Sequence, residues 1–221
     1  MLGGDLEGVR VGVPTGFFTD PAEIDPGVLA AVQEALQVME SVGASIVEVS
    51  MPFLRHAPAV QFFTLATEAS ANHGWLLRTR GRELGLDVRR RLELGEFIAA
   101  PQYVRAQQVR RRLVREFADV FRHADLLVTP TLPIVAPPLG AETVAIQEVQ
   151  KRIQPTLTRF TSPANLTGLP AISVPCGSEV DGLPEGLQMV ARPFDEATLL
   201  RAAYAYEEAS RVDSRRPPLT G

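Results

Sequence analysis

Residues 160–196 read FTSPANLTGLPAISVPCGSEVDGLPEGLQMVARPFDE, and this stretch decides the fold. Two short apolar runs, 171–175 and 187–191, are bounded by turn-forming residues and separated by a loop containing Asp181-Gly182. That pattern makes two strands. Pro163, Gly168 and Pro170 fix a rigid turn that delivers the chain into the first of them. Such turns often lie beside ligand sites in α/β proteins; they also serve simply to shape the entry to a strand, and the residues alone leave both readings open. Asp195 then caps a last helix running to about residue 210.

Working outward, residues 9–13 alternate apolar and small or polar side chains, as a strand does, and Pro14 and Gly16 end the run. Asp25-Pro26 reads as an N-cap followed by proline at the first helical position. Val28, Leu29, Val32, Leu36, Met39 and Val42 recur at helical spacing, and Gly43 stands where a helix closes. A second strand follows near 46–49. Strand, helix, strand in that order predicts parallel strands joined by a crossover. Long helical zones run over about 58–77 and 102–123, and a strand over 126–129 stops at Pro130. Residues 131–140, punctuated by Pro133, Pro137 and Pro138, form a loop. Alternating strands and helices without a linker predict a single α/β domain over 1–221, a mixed sheet flanked by helices, with residues 211–221 as a frayed tail.

Here a family resemblance becomes specific. The stretch 160–196 resembles the C-terminal block of amidase signature enzymes almost word for word. Leu6-Glu7-Gly8-Val9-Arg10-Val11-Gly12-Val13-Pro14 is similar to the segment that follows that family's catalytic region. Glu68-Ala69-Ser70-Ala71-Asn72 resembles a helix in its middle, and Asp125-Leu126-Leu127-Val128-Thr129-Pro130-Thr131 its next core strand and loop. The likeness covers about 6–210, in the order the family uses. It implies hydrolysis of carboxamides to a carboxylic acid and ammonia or an amine, with no metal or organic cofactor.

The family's chemistry uses a serine nucleophile, a second serine with a cis peptide bond and a lysine base. The resemblance places those serines in a Gly/Ser-rich segment upstream of everything matched here, so no catalytic residue is carried over. Lys151 is the only lysine and does not stand in the catalytic lysine's context. Arginine cannot replace it, because arginine stays protonated. The chain is therefore expected to be inactive alone, supplying core strands and one wall of a pocket. It is expected to bind a small-molecule amide only together with the complementary N-terminal half, and to form a homo-oligomer or pair with such a chain. Strands such as Leu126-Leu127-Val128 and Ile172-Ser173-Val174 read as buried on both faces, which puts the contact around 9–13 or 165–175.

The resemblance also suggests substrate-side positions. Glutamine-dependent aminoacyl-tRNA amidotransferases contain an amidase component that is a relative, and in it an arginine helps hold the glutamine. It follows an acidic-Val-basic run like Asp87-Val88-Arg89-Arg90-Arg91, which makes Arg91 the match. An aspartate of that component corresponds to Thr158, two residues before Phe160-Thr161; a glutamine α-ammonium would lose its carboxylate partner there, which favours a general amidase. Phe62, beside Phe63, offers aromatic surface where the amidotransferase component has tyrosines. Phe160 and Asn165, inside the matched block, complete the candidate substrate-binding set. The rival readings are a fragment of that amidotransferase component and a non-catalytic remnant or interaction protein.

Composition excludes other classes. Apolar residues make up 45% and charged residues 22%, ordinary for a globular chain. No apolar run approaches the roughly 20 residues of a membrane span, so no membrane association is expected. The first residues have neither a basic start nor an apolar core, so no leader is read there and the cytoplasm is the expected compartment. Twelve arginines lie between Arg78 and Arg122 against six carboxylates. No aromatics interleave them, which fits a solvated helix face better than a nucleic-acid footprint. His56, His73 and His123 are scattered, so no metal site is expected. Cys176, the only cysteine, follows an apolar strand and reads as a small buried hydrophobe.

Overall fold

The computed structural model describes residues 5–177 and 182–210. Strand β1 (Arg10–Thr15) leads into helix α1 (Pro26–Ser41) and strand β2 (Ser45–Ser50). A helical stretch follows: α2 (Ala57–Arg80), α3 (Leu86–Gly95) and α4 (Ala100–Val120). Strand β3 (Leu126–Pro130) comes next, then a small hairpin of β4 (Thr143–Ile146) and β5 (Val149–Arg152). Two one-turn helices, α5 (Ile153–Thr158) and α6 (Ser162–Thr167), precede strands β6 (Ala171–Gly177) and β7 (Glu185–Ala191) and helix α7 (Glu196–Ser210).

The main sheet has the order β2-β1-β3-β7-β6. The strands β2, β1 and β3 are parallel, and β7 and β6 run antiparallel to their neighbours. The sheet is therefore mixed and α/β, as the sequence predicts. The crossover through α1 is capped as expected: Asp25 Oδ1 accepts from the Gly27 amide at 2.8 Å, and Gly43 closes the helix at φ 103°. Asp195 Oδ1 accepts from the Thr198 amide at 3.4 Å at the start of α7.

One sheet face packs α1 and α7, through Ala31, Met39, Leu199 and Tyr206, against Val11, Leu126 and Met189. The other packs α4, through Leu113 and Phe117, together with Phe160 and Leu166, against Leu127 and Val190. All five residues of β3 are buried, because both faces are covered there. Cys176 is buried in the first core, and desolvation pushes its thiol up to about 12, which makes it a packing residue rather than a nucleophile.

The structure corrects several expectations. Ile172-Ser173-Val174 is not buried on both faces: β6 is an edge strand, with Ala171, Ser173 and Pro175 exposed and only Val174 and Cys176 buried. The segment 9–13 offers no docking surface, since β1 lies inside the sheet between β2 and β3. The first strand continues through Pro14 to Thr15, because parallel pairing with β2 extends that far. The stretch 131–140 is loop, but the β4–β5 hairpin and α3, α5 and α6 fall where no element was expected. Asp181 and the tail 211–221 lie outside the described residues.

Candidate functional site

A cleft of about 800 Å³ opens between two walls. The first wall is α2 and α3. From α2 come Pro58, Gln61, Phe62, Leu65 and Ala66, and from α3 come Asp87, Arg90, Arg91 and Leu94. Both sets follow the i, i+3, i+4, i+7 spacing of one helix face, so each helix turns a single stripe to the cleft. The second wall is the base of the β4–β5 hairpin with α5, including Glu142, Arg152, Ile153, Thr158 and Arg159.

Close backbone approach holds the first wall. A Cβ on Gly95 would lie 2.2 Å from the carbonyl oxygen of Ala66 and 2.6 Å from Ser70 Cβ. Only glycine lets α3 sit this deeply on α2. One residue on, Glu96 Oε1 accepts from the Ser70 hydroxyl at 2.8 Å. Phe62 and Phe63 stand edge to face at 5.4 Å.

The second wall is tied down by Glu23, from the loop between β1 and α1. Its carboxylate meets Lys151 Nζ at 2.7 Å and Arg159 Nε at 3.4 Å. The Arg159 guanidinium also lies 4.4 Å from the centroid of the Phe17 ring. Lys151 is thereby engaged in a structural ion pair on the hairpin. Thr158 offers the cleft no charge, and its hydroxyl donates back to the Gln154 carbonyl of its own helix at 3.3 Å.

Of the five candidate positions, Phe62, Arg91 and Thr158 share this cleft although they are far apart in sequence. Phe160 and Asn165 do not line it. Phe160 is fully buried against Phe18 at 5.1 Å, and its carbonyl accepts from the Gln188 side chain at 3.1 Å. Asn165 is exposed on α6. Leu65, Leu94, Arg90 and Arg152 were missed. The stripes on α2 and α3 carry a readable signal for the first three, whereas nothing local marks Arg152.

Among the described residues, no group of three or more His, Cys, Asp or Glu is gathered as a metal site would need. No helix among them is long and apolar enough to cross a membrane.

The chain matches the Amidase family over residues 2–200. It is 40% identical over 242 aligned positions to the amidase component (the GatA-type chain) of the glutamyl-tRNA(Gln) amidotransferase of Chloroflexus aggregans, covering 99% of this chain and 48% of that protein. It is 40% identical over 221 positions to an amidase of Pseudomonas putida, covering 100% of this chain and 47% of that one. A solved inhibitor-bound structure, described as a vestigial protein complex revealing the evolutionary origins of an s-triazine catabolic enzyme, superposes with a TM-score of 0.85 at 30% identity. That match covers 94% of this chain and 44% of the other. The chain thus spans about half the length of the curated relatives it matches. On residues, fold and family match together, the chain belongs to the amidase signature family.

Proposed function

We propose that this chain is the C-terminal portion of an amidase that hydrolyses carboxamide C–N bonds to a carboxylate and ammonia or an amine. It supplies core strands and the substrate-facing wall, while the serine nucleophile, its cis-serine partner and the lysine base belong to the complementary N-terminal portion. The observation that carries this reading is the cleft, which gathers Phe62, Arg91 and Thr158 on two facing walls. Proton abstraction needs a base within hydrogen-bond reach of the nucleophile. Lys151 is engaged with Glu23 instead, so the chain by itself lacks that pair.

Two observations favour a general amidase over the amidotransferase component. Alignment with the latter takes more positions than this chain has residues, so it carries insertions that this chain lacks, whereas alignment with the Pseudomonas amidase needs only 221. A threonine at 158 also leaves a substrate α-ammonium without a carboxylate at that point. The complementary portion is the expected partner, a small amide the expected substrate, and the cytoplasm the expected compartment.

The test is a chimera in which this chain replaces the matched half of the Pseudomonas putida amidase. Ammonia release from simple amides is measured for the chimera and for the 221-residue chain alone. Turnover by the chimera and none by the chain is the expected result. A folded chimera without turnover overturns the proposal, as does activity of the chain alone that Lys151→Met abolishes.

A further inference from the structure

Charge and polarity are unevenly distributed around the cleft. Its apolar floor contains Phe62, Leu65 and Leu94, each about half exposed to solvent. Large apolar side chains on a concave surface are a place for an apolar ligand body. Around that floor stand three guanidinium groups with no ion-pair partner among the described residues: Arg90 and Arg91 on one wall and Arg152 on the other. Neighbouring cations are treated differently, since Arg89 meets Glu93 at 2.8 Å and Arg159 is held by Glu23. Two carboxylates also line the cleft. Asp87 lies in the first turn of α3, where a negative charge is favoured by the helix end, leaving Glu142 as the opposing charge on the second wall.

Three like charges converging on an apolar surface repel one another, and the low polarity beneath them weakens solvent screening. A ligand anion relieves that repulsion, and a guanidinium fork suits a carboxylate. We infer that the cleft selects amides whose aromatic or branched apolar body carries an anionic group remote from the amide, with Arg90 and Arg152 as the charge-selecting residues beyond the family-matched Arg91. This inference rests on the amidase reading and narrows its substrate class. The apolar body lies on Phe62, Leu65 and Leu94, and the anion lies between the two walls. Because Arg90 and Arg152 stand on opposite walls, the ligand also draws the hairpin and α3 together.

Binding to the 221-residue chain, measured by calorimetry, tests this without requiring turnover. The probes are 4-carboxybenzamide, its neutral isostere 4-methylbenzamide, and acetate as the charge alone. The expected result is at least tenfold tighter binding of 4-carboxybenzamide than of 4-methylbenzamide, with acetate weaker than either. The double variant Arg90→Ala/Arg152→Ala should lose that preference and keep the affinity for 4-methylbenzamide. Restoring charge with Arg90→Lys/Arg152→Lys should return part of it, and Arg122→Ala, outside the cleft, should change nothing. Raising the salt concentration should narrow the gap. Equal binding of the two benzamides, acetate binding as tightly as 4-carboxybenzamide, no binding of either benzamide, or a preference that survives the double alanine variant overturns the inference. None of these outcomes touches the chimera experiment, where hydrolysis of neutral amides decides the amidase reading separately.

Discussion

Asp125 sits at the start of β3 between two arginines from different parts of the chain. Arg10 donates to it through Nε at 3.0 Å and Nη2 at 2.9 Å, and Arg192 through Nη2 at 2.6 Å. The Arg10 amide adds a third kind of donor at 3.1 Å. These hydrogen bonds, led by the Arg10 side chain, hold the carboxyl down at about 2 against desolvation that pushes the other way. A carboxyl with a lowered folded pKa contributes stability above its unfolded value, and that contribution is lost as pH falls through the folded one. Here the window runs from about 4 down to about 2. Because Arg10 is 42% exposed, solvent screens the pair and the effect is well below the full shift, about 1 kcal/mol. Asp125→Asn should therefore lower urea-unfolding stability by about that much at pH 7, with the difference shrinking towards pH 2. A constant difference across that range would mean that the carboxylate's charge contributes nothing. At this same scale, the candidate site was partly legible. Phe62, Arg91 and Thr158 could be found because the resemblance carries their local context. Arg152 could not, since its place depends on how the hairpin folds against α2 and α3.

Helix α3 shows why some elements escape a sequence reading. Its ten residues, LDVRRRLELG, bury only Leu92 and Gly95. So little apolar periodicity leaves the helix invisible to pattern, while α1, with five buried residues at helical spacing, is plain. The β4–β5 hairpin escapes for a related reason. Each strand has four residues, and of these only Ile146 is fully buried. The central strands were legible because burial on both faces leaves near-continuous apolar runs. What α3 lacks in buried side chains it gains from the close contact at Gly95. Gly95→Ala should push α3 off α2, since the added methyl would overlap the Ala66 carbonyl. Overpacking of this kind costs about 1–3 kcal/mol. Hydrogen exchange should rise over 86–95 and stay unchanged in β3, whose packing does not involve α3. Affinity of the cleft for 4-carboxybenzamide should fall in parallel, because Arg90, Arg91 and Leu94 move together. Unchanged protection over 86–95 would show that α3 does not depend on this contact.

At the scale of the whole molecule, the sheet ends in an edge that no described residue covers. Strand β6 has one neighbour, β7, and shows Ala171, Ser173 and Pro175 to solvent over a seven-residue span. A free edge of that length is a template for pairing with another chain. The surface adds apolar area elsewhere: Phe62, Leu65, Leu94 and Phe97 are all exposed on or beside α2 and α3. A few hundred Å² of such surface represents several kcal/mol of unrealised burial at about 25 cal/mol per Å². The chain matches its relatives over only about half their length, which is consistent with a fold whose edge is completed by further protein. In the absence of that protein, the chain should self-associate, and its mass in light scattering should rise over the micromolar range. Ser173→Lys places a charge on the edge and gives up the 2.6 Å contact between the Ser173 and Thr131 hydroxyls, costing about 1 kcal/mol of stability. It should nevertheless shift self-association to at least tenfold higher concentration, because edge lysines block strand pairing. A chain that stays monomeric throughout would favour a remnant adapted to standing alone. Association that Ser173→Lys leaves untouched would move the contact from the β6 edge to the apolar surface of α2 and α3.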